Sequence, residues 1–203
     1  MMDVRLQHPF RLVLNGPSEA GKTEWIRKLI QHRDEMIYPP PEKIIWCYGE
    51  WQPIYALLPE VEFVDGLNFE PHPGRRQLIV LDDLMMSSNK SVAELFIKGS
   101  HHRDISVIYV MQNLFQKGGE NRTISLNASY MVLFKNPRDA SQIRHLSYQM
   151  YPKNPKYLQE AYADATRQPY GYFLIDLKNH TYDTYRLRAN IFPEENQTVY
   201  CPL

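Results

Sequence analysis

No apolar run in this 203-residue chain approaches the roughly 20 residues that a membrane-spanning helix needs. Nothing in it therefore asks for a membrane partner. Cysteine is nearly missing: Cys47 and Cys201 stand far apart, without metal-ligand spacing, and read as free thiols of a reducing compartment. The first residues, Met1 to His8, are mixed and polar and lack the apolar heart of a secretory signal, so an intracellular, non-secreted protein is expected. An excess of either charge is also lacking. Lys and Arg number 23, Asp and Glu 23, which removes any global positive field and makes a nucleic-acid contact a local matter. There is no internal repeat, no low-complexity tract and no shift of composition that marks a second domain.

What is present suits one α/β domain. Hydrophobic residues make up 43% of the chain, enough for a sizeable core. Residues 9–14 read as a first strand, with Leu12, Val13 and Leu14 buried on both faces. Lys22 to Arg33 reads as a helix with Trp25, Ile26, Leu29 and Ile30 on one stripe. Further strands are expected at Lys43–Tyr48, Val61–Val64, Gln77–Asp83, Ile105–Met111, Tyr130–Phe134, Tyr170–Leu177 and Thr184–Leu187. Helices are expected at Ser91–Lys98, Asp139–Tyr151 and Lys156–Arg167. Strands alternating with helices predict a three-layer domain: a mostly parallel central sheet, helices on both faces, and the C-terminal strands closing one edge.

Between the first strand and the first helix lies Gly16-Pro17-Ser18-Glu19-Ala20-Gly21-Lys22-Thr23. Glycine, four residues, glycine, lysine and a hydroxyl residue are the phosphate-binding P-loop signature, and the strand–loop–helix context fits it. Backbone N–H groups of such a loop cradle a polyphosphate, aided by the positive end of the helix. Lys22 would reach the β- and γ-phosphates, and the Thr23 hydroxyl would ligate Mg²⁺. About sixty residues on, the run Gln77 to Leu81 ends in Asp82-Asp83. Asp82 fits the acid that holds the metal, and Asp83 points differently and would polarise an attacking water. Gln112 ends the next strand, where ligands of a parallel sheet bind, and would sense the γ-phosphate or the water; Asn113 is a weaker candidate.

A motor built as a ring needs an arginine from the neighbouring copy. Arg103 is the favoured candidate, with Arg122, Arg138 and Arg144 behind it. Lys117, Asn121 and Arg122 lie in an expected loop, Lys117 to Arg122, that would touch a nucleic-acid backbone; a plain solvated turn is the bland alternative. Trp46, Tyr48 and Trp51 could stack on adenine or on bases, though core packing explains them as well, and His101 and His102 read as surface histidines.

With these residues, the chain resembles the FtsK–HerA superfamily of P-loop ATPases. Within it, the chain is similar to the genome-packaging ATPases of poxvirus type, also carried by Polinton/Maverick-like elements and adintoviruses. The likeness rests on Gly16–Thr23, on Leu81-Asp82-Asp83 and on Gln112-Asn113-Leu114-Phe115. It extends to Phe134–Asp139 with Gln142 and Leu146, and to Tyr170–Asp176. The resemblance implies a ring-forming ATPase, using ATP and Mg²⁺, that drives double-stranded DNA into a capsid, with capsid proteins as partners. Its place would be the nucleus or cytoplasm of a host cell, or the virion. Lys22, Thr23, Asp82 and Gln112 would carry over as phosphate, metal and sensor residues. Many relatives place glutamate where Asp83 stands, and no nuclease-like extension is expected. The expected organisation is an N-terminal tail over 1–8, the P-loop ATPase domain over 9–192 and a C-terminal tail over 193–203. Two other function classes compete: a small-molecule or nucleotide kinase, for which the Lys117–Arg122 loop is too short and arginine-poor a lid, and a nucleotide-dependent scaffold with little turnover.

Overall fold

The computed structural model of the protein describes residues 3–82, 84, 96, 104–114 and 119–202. Asp83, Arg103, Lys117, His101, His102 and the helix expected over 91–98 lie outside the described residues, as do the side chains of Asn121 and Arg122. The strands in chain order are β1 (Leu6–Gln7), β2 (Arg11–Asn15), β3 (Ile37–Tyr38), β4 (Lys43–Tyr48), β5 (Glu62–Asp65) and β6 (Gln77–Asp82). They continue with β7 (Ile105–Met111), β8 (Tyr130–Phe134), β9 (Tyr172–Asp176), β10 (Leu187–Ala189) and β11 (Thr198–Tyr200). The helices are α1 (Lys22–Gln31), α2 (Arg33–Met36), α3 (Gly119–Asn127), α4 (Ser141–Met150) and α5 (Pro155–Ala165).

Among the described residues nine strands form one sheet in the order β11-β10-β9-β8-β2-β7-β6-β4-β5. From β5 to β8 every neighbouring pair is parallel. Beyond β8 the strands turn antiparallel, β9 against β8, β10 against β9 and β11 against β10. This is the expected mostly parallel sheet with its C-terminal strands at one edge.

Period-2 alternation divides the core in two. Leu12, Leu14, Ile44, Trp46, Leu78 and Val80 face the side covered by α1, whose Trp25, Ile26, Leu29 and Ile30 pack on them. Val13, Ile45, Cys47, Ile79 and Leu81 face the other side, with Ile143 and Leu146 of α4 and Leu158 and Ala161 of α5. A strand with apolar residues on both faces can only be central, which is why β2, β6 and β8 carry unbroken apolar runs and β7 carries one interrupted only by Ser106.

Four expectations need correction. The helix after the P-loop ends at Gln31, and His32 (φ −102°, ψ 20°) separates it from the short α2. The loop expected over 117–122 is helical from Gly119 onward, and Ile124, buried in the core, anchors that helix. The strand expected at 184–187 begins only at Leu187. A short 3₁₀ turn occupies Asp183–Tyr185, held where Arg186 Nη1 donates to the carbonyls of Asp176 and Lys178. The terminal segments are also not trailing ends: Leu6–Gln7 pairs with Ile37–Tyr38, and Thr198–Tyr200 forms the outermost strand of the sheet.

Candidate active site

All parallel strands finish at one end of the sheet, and the P-loop lies there, straight after β2. Its conformation depends on both glycines. A Cβ on Gly16 would sit 2.8 Å from Cβ of Phe134, the last residue of β8, so the loop can hug that strand only with hydrogen there. Gly21 has φ 97°, a left-handed conformation that turns the chain into α1. Glu19 shares the left-handed region at φ 63°. Among the described residues no side chain caps α1, whose first hydrogen bond runs from the N–H of Trp25 to the carbonyl of Gly21. The helix thus presents its leading N–H groups, and the positive end of its dipole, to the loop's concave side. Lys22 arches over the same loop, with Nζ donating to the carbonyls of Gly16 and Pro17 at 2.8 and 2.6 Å.

A cavity of about 710 Å³ opens beside this loop. Its walls include Ser18, Glu19, Gly21, Lys22, Thr23 and Glu24 from the loop and α1, Asp82 from β6, and Gln112 and Asn113 from the end of β7. The sheet order explains the meeting. β7 lies between β2 and β6, so Gln112 emerges between the P-loop and the acid. Gln112 is exposed to the cavity, whereas Asp82 is only 5% exposed. Tyr55, buried in the turn Pro53–Leu57, donates its hydroxyl to Oδ2 of Asp82 at 3.1 Å. A buried carboxylate with one oriented oxygen suits a hard cation, as does the neighbouring hydroxyl of Thr23. The backbone donors and the lysine fit the phosphates of a nucleotide.

Charge around the cavity is mixed. Arg27 Nε binds Glu24 Oε2 at 2.7 Å, and this guanidinium holds the Glu24 carboxyl below the usual carboxylate range. Burial pushes the Tyr109 phenol up, so it stays neutral.

The end of β7 is tied to the P-loop and to α4. The N–H of Gly16 donates to the carbonyl of Met111 at 3.2 Å. With its amide oxygen turned toward β7, the buried Asn15 accepts from the N–H groups of Asn113 and Leu114, each at 3.2 Å. From the other side, Gln142 of α4 accepts from the N–H of Leu114 at 3.1 Å and donates to Asp139 Oδ2 at 2.9 Å. Leu114 is therefore held from two directions and Asn113 from one.

Of the candidate residues, Ser18, Glu19, Gly21, Lys22, Thr23, Asp82 and Gln112 line one cavity. Asp83 follows Asp82 in the chain but, with Arg103 and Lys117, lies outside the described residues. Asn121 and Arg122 fall on α3. Arg138 and Arg144 are exposed, on the β8–α4 connection and on α4. Trp46 is fully buried in the core, which removes it as a stacking residue; Trp51 is 52% exposed and packs against Tyr48, Tyr55 and Phe63. Sequence reasoning missed Tyr55, Asn15 and Gln142 as orienting residues. A buried tyrosine hydroxyl or amide needs a partner, but which partner is a tertiary fact.

No protein-family model matches the sequence, and no curated protein does. Solved structures do match. The genome packaging NTPase B204 from Sulfolobus turreted icosahedral virus 2, in complex with ATP-gammaS, is similar with a TM-score of 0.54 and 11% identity, over 100% of this chain and 100% of that one. The same NTPase in complex with sulfate gives a TM-score of 0.52 at 11% identity, over 100% of this chain and 98% of that one. At that identity the likeness is one of fold, and it agrees with the strand order and the loop geometry: this chain has the α/β fold of P-loop NTPases.

Proposed function

We propose that the chain is a Mg²⁺-dependent ATPase that works as a homo-oligomeric ring and moves double-stranded DNA, packaging a viral genome into a capsid. The observation that supports it most is the convergence of the P-loop, Asp82 and Gln112 on one cavity, with β7 between the strands that carry the other two. In this reading Lys22 shifts from its own loop's carbonyls to the β- and γ-phosphates and offsets their charge. Thr23 and Asp82 would hold the ion, with Tyr55 orienting the Asp82 carboxylate through its hydrogen bond. When bound, Mg²⁺ draws charge from the phosphate oxygens and favours departure of the diphosphate. Asp83 polarises the attacking water, and Gln112 hydrogen-bonds the γ-phosphate or that water. Arg103 of a neighbouring copy supplies charge that the chain's own P-loop does not. Lys117, Asn121 and Arg122 are the DNA contacts of the reading. The packaging role and the setting in a host cell or virion draw on the family resemblance and on the fold shared with B204.

The first test is ATP turnover. Lys22→Ala should lower kcat by about 100-fold or more, the scale of losing one transition-state donor. Phosphate should pass to water. Transfer to nucleosides or nucleoside monophosphates would make the protein a kinase, and wild-type turnover as low as that of Lys22→Ala would make it a scaffold.

A further inference from the structure

Among the described residues two aromatic rings lie against the P-loop glycines: Phe134, which is buried in the core, and Tyr170, which is exposed and which the phosphate chemistry does not use. Tyr170 precedes β9 and is 73% exposed. Its backbone has φ 62°, in the left-handed region that residues other than glycine avoid. Its ring nevertheless lies against the P-loop: a Cβ on Gly21 would be 3.2 Å from Tyr170 Cδ1 and 3.6 Å from Tyr170 Cβ. The placement is fixed from behind. Gly171 donates its N–H to the carbonyl of Gln168 at 3.1 Å, and a Cβ at Gly171 would come within 2.5 Å of the Ala165 carbonyl oxygen. The turn between α5 and β9 is thus closed tightly, and Tyr170 is its outward-facing member.

The topology gives the direction of a bound nucleotide. Asp82 and Gln112 lie on the β6–β7 side of the P-loop, so the terminal phosphate points there. The nucleoside end must leave on the other side, toward β8 and β9. Because β9 runs antiparallel to β8, with Tyr172 opposite Phe134, the chain before Tyr172 stands at the end of the sheet where the P-loop begins. Trp51 and Tyr48 are on β4 and its following turn, the side of Asp82, and so at the wrong end for a base.

We infer that Tyr170 is the stacking platform for the purine base of the nucleotide whose phosphates the P-loop holds. This rests on the proposed nucleotide-binding reading and deepens it. An exposed phenol ring gives a base a flat apolar face, and such stacking tolerates any purine because every base has a π-face. Held in a left-handed turn, the ring is already placed before the ligand arrives, so little ordering is left for binding.

The test is calorimetric titration of the full chain, in Mg²⁺, with ATP and with inorganic tripolyphosphate, which has the phosphates and no base. Tyr170→Ala should weaken ATP about tenfold, the scale of one lost base–aromatic stack, and leave tripolyphosphate affinity unchanged. Tyr170→Phe should bind ATP as the wild type does. Equal ATP affinity in Tyr170→Ala would overturn the inference. So would a loss that falls equally on tripolyphosphate, since the ring would then merely support Gly21. If the wild type binds tripolyphosphate and ATP equally well, the base makes no contact and the inference fails while the phosphate site stands. If it binds neither, the nucleotide-binding reading fails and takes the inference with it.

Discussion

Gly16 has room for a hydrogen and nothing more. Its neighbour across the sheet is not a flexible tip but Cβ of Phe134, an atom bound directly to the β8 backbone. Gly16→Ala must therefore push the loop off β8, and overpacking of this kind costs about 1–3 kcal/mol. A urea titration should show that loss together with weaker ATP binding; unchanged stability would mean that loop and strand are not in register as described. Tyr55 and Asp82 illustrate the same point from the polar side. A carboxylate that buried needs an oriented donor, and a tyrosine from another element supplies it. Cys47 is the contrast: burial pushes its thiol up to about 12, so it packs in the core as a small apolar group rather than reacting.

At the scale of elements, the antiparallel edge carries a buried charge pair far from the P-loop. Arg188 of β10 is 2% exposed and Asp176 of β9 is 3% exposed, and Arg188 Nη2 lies 3.5 Å from Asp176 Oδ2. Lys178 Nζ approaches the same oxygen at 3.6 Å, and Arg188 also donates to the Val4 carbonyl. Burial lowers the pKa of Arg188, but an arginine starts high enough to keep its charge. Asp176→Asn leaves that charge with no carboxylate and should cost about 3–5 kcal/mol in equilibrium unfolding. A loss of about 1 kcal/mol or less would place the pair in the class of exposed ion pairs instead. Elements were legible in the sequence in proportion to how locally they are specified. β2, β6, β7 and β8 are apolar on both faces, and α1 shows its stripe, so each could be read alone. β1 and β3 are two residues each and exist only through their mutual pairing. The three residues of β11 are half-buried and give no apolar run. Of the site, the P-loop was legible because its residues are contiguous, and Asp82 and Gln112 because acids and amides at the ends of apolar strands stand out. The contacts Tyr55–Asp82 and Gln142–Leu114 span 27 and 28 residues, and Tyr170 reaches Gly21 only because β9 lies beside β8. No local pattern announces such meetings.

At the scale of the whole molecule, the sheet brings the P-loop, Asp82 and Gln112 to one end, and the proposed reading takes its transition-state arginine from a neighbouring copy. The exposed Arg138 and Arg144 lie on the β8–α4 connection and on α4, and the ties through Gln142 and Asn15 join α4 and the P-loop to residues 113–114, next to Gln112. In the proposed reading, a neighbouring copy or a DNA backbone that displaced α4 would be felt at Gln112. A chain of zero net charge gains no general attraction to DNA, so the proposed DNA contact would have to come from a few local contacts with phosphates and would respond to salt. The most direct measurement is steady-state ATP hydrolysis with and without linear double-stranded DNA, across a salt series, with the oligomeric state followed in parallel. The account predicts an oligomer whose hydrolysis rises with DNA and loses that stimulation steeply as salt increases. Hydrolysis indifferent to DNA at every salt concentration, from a stable monomer, would contradict it.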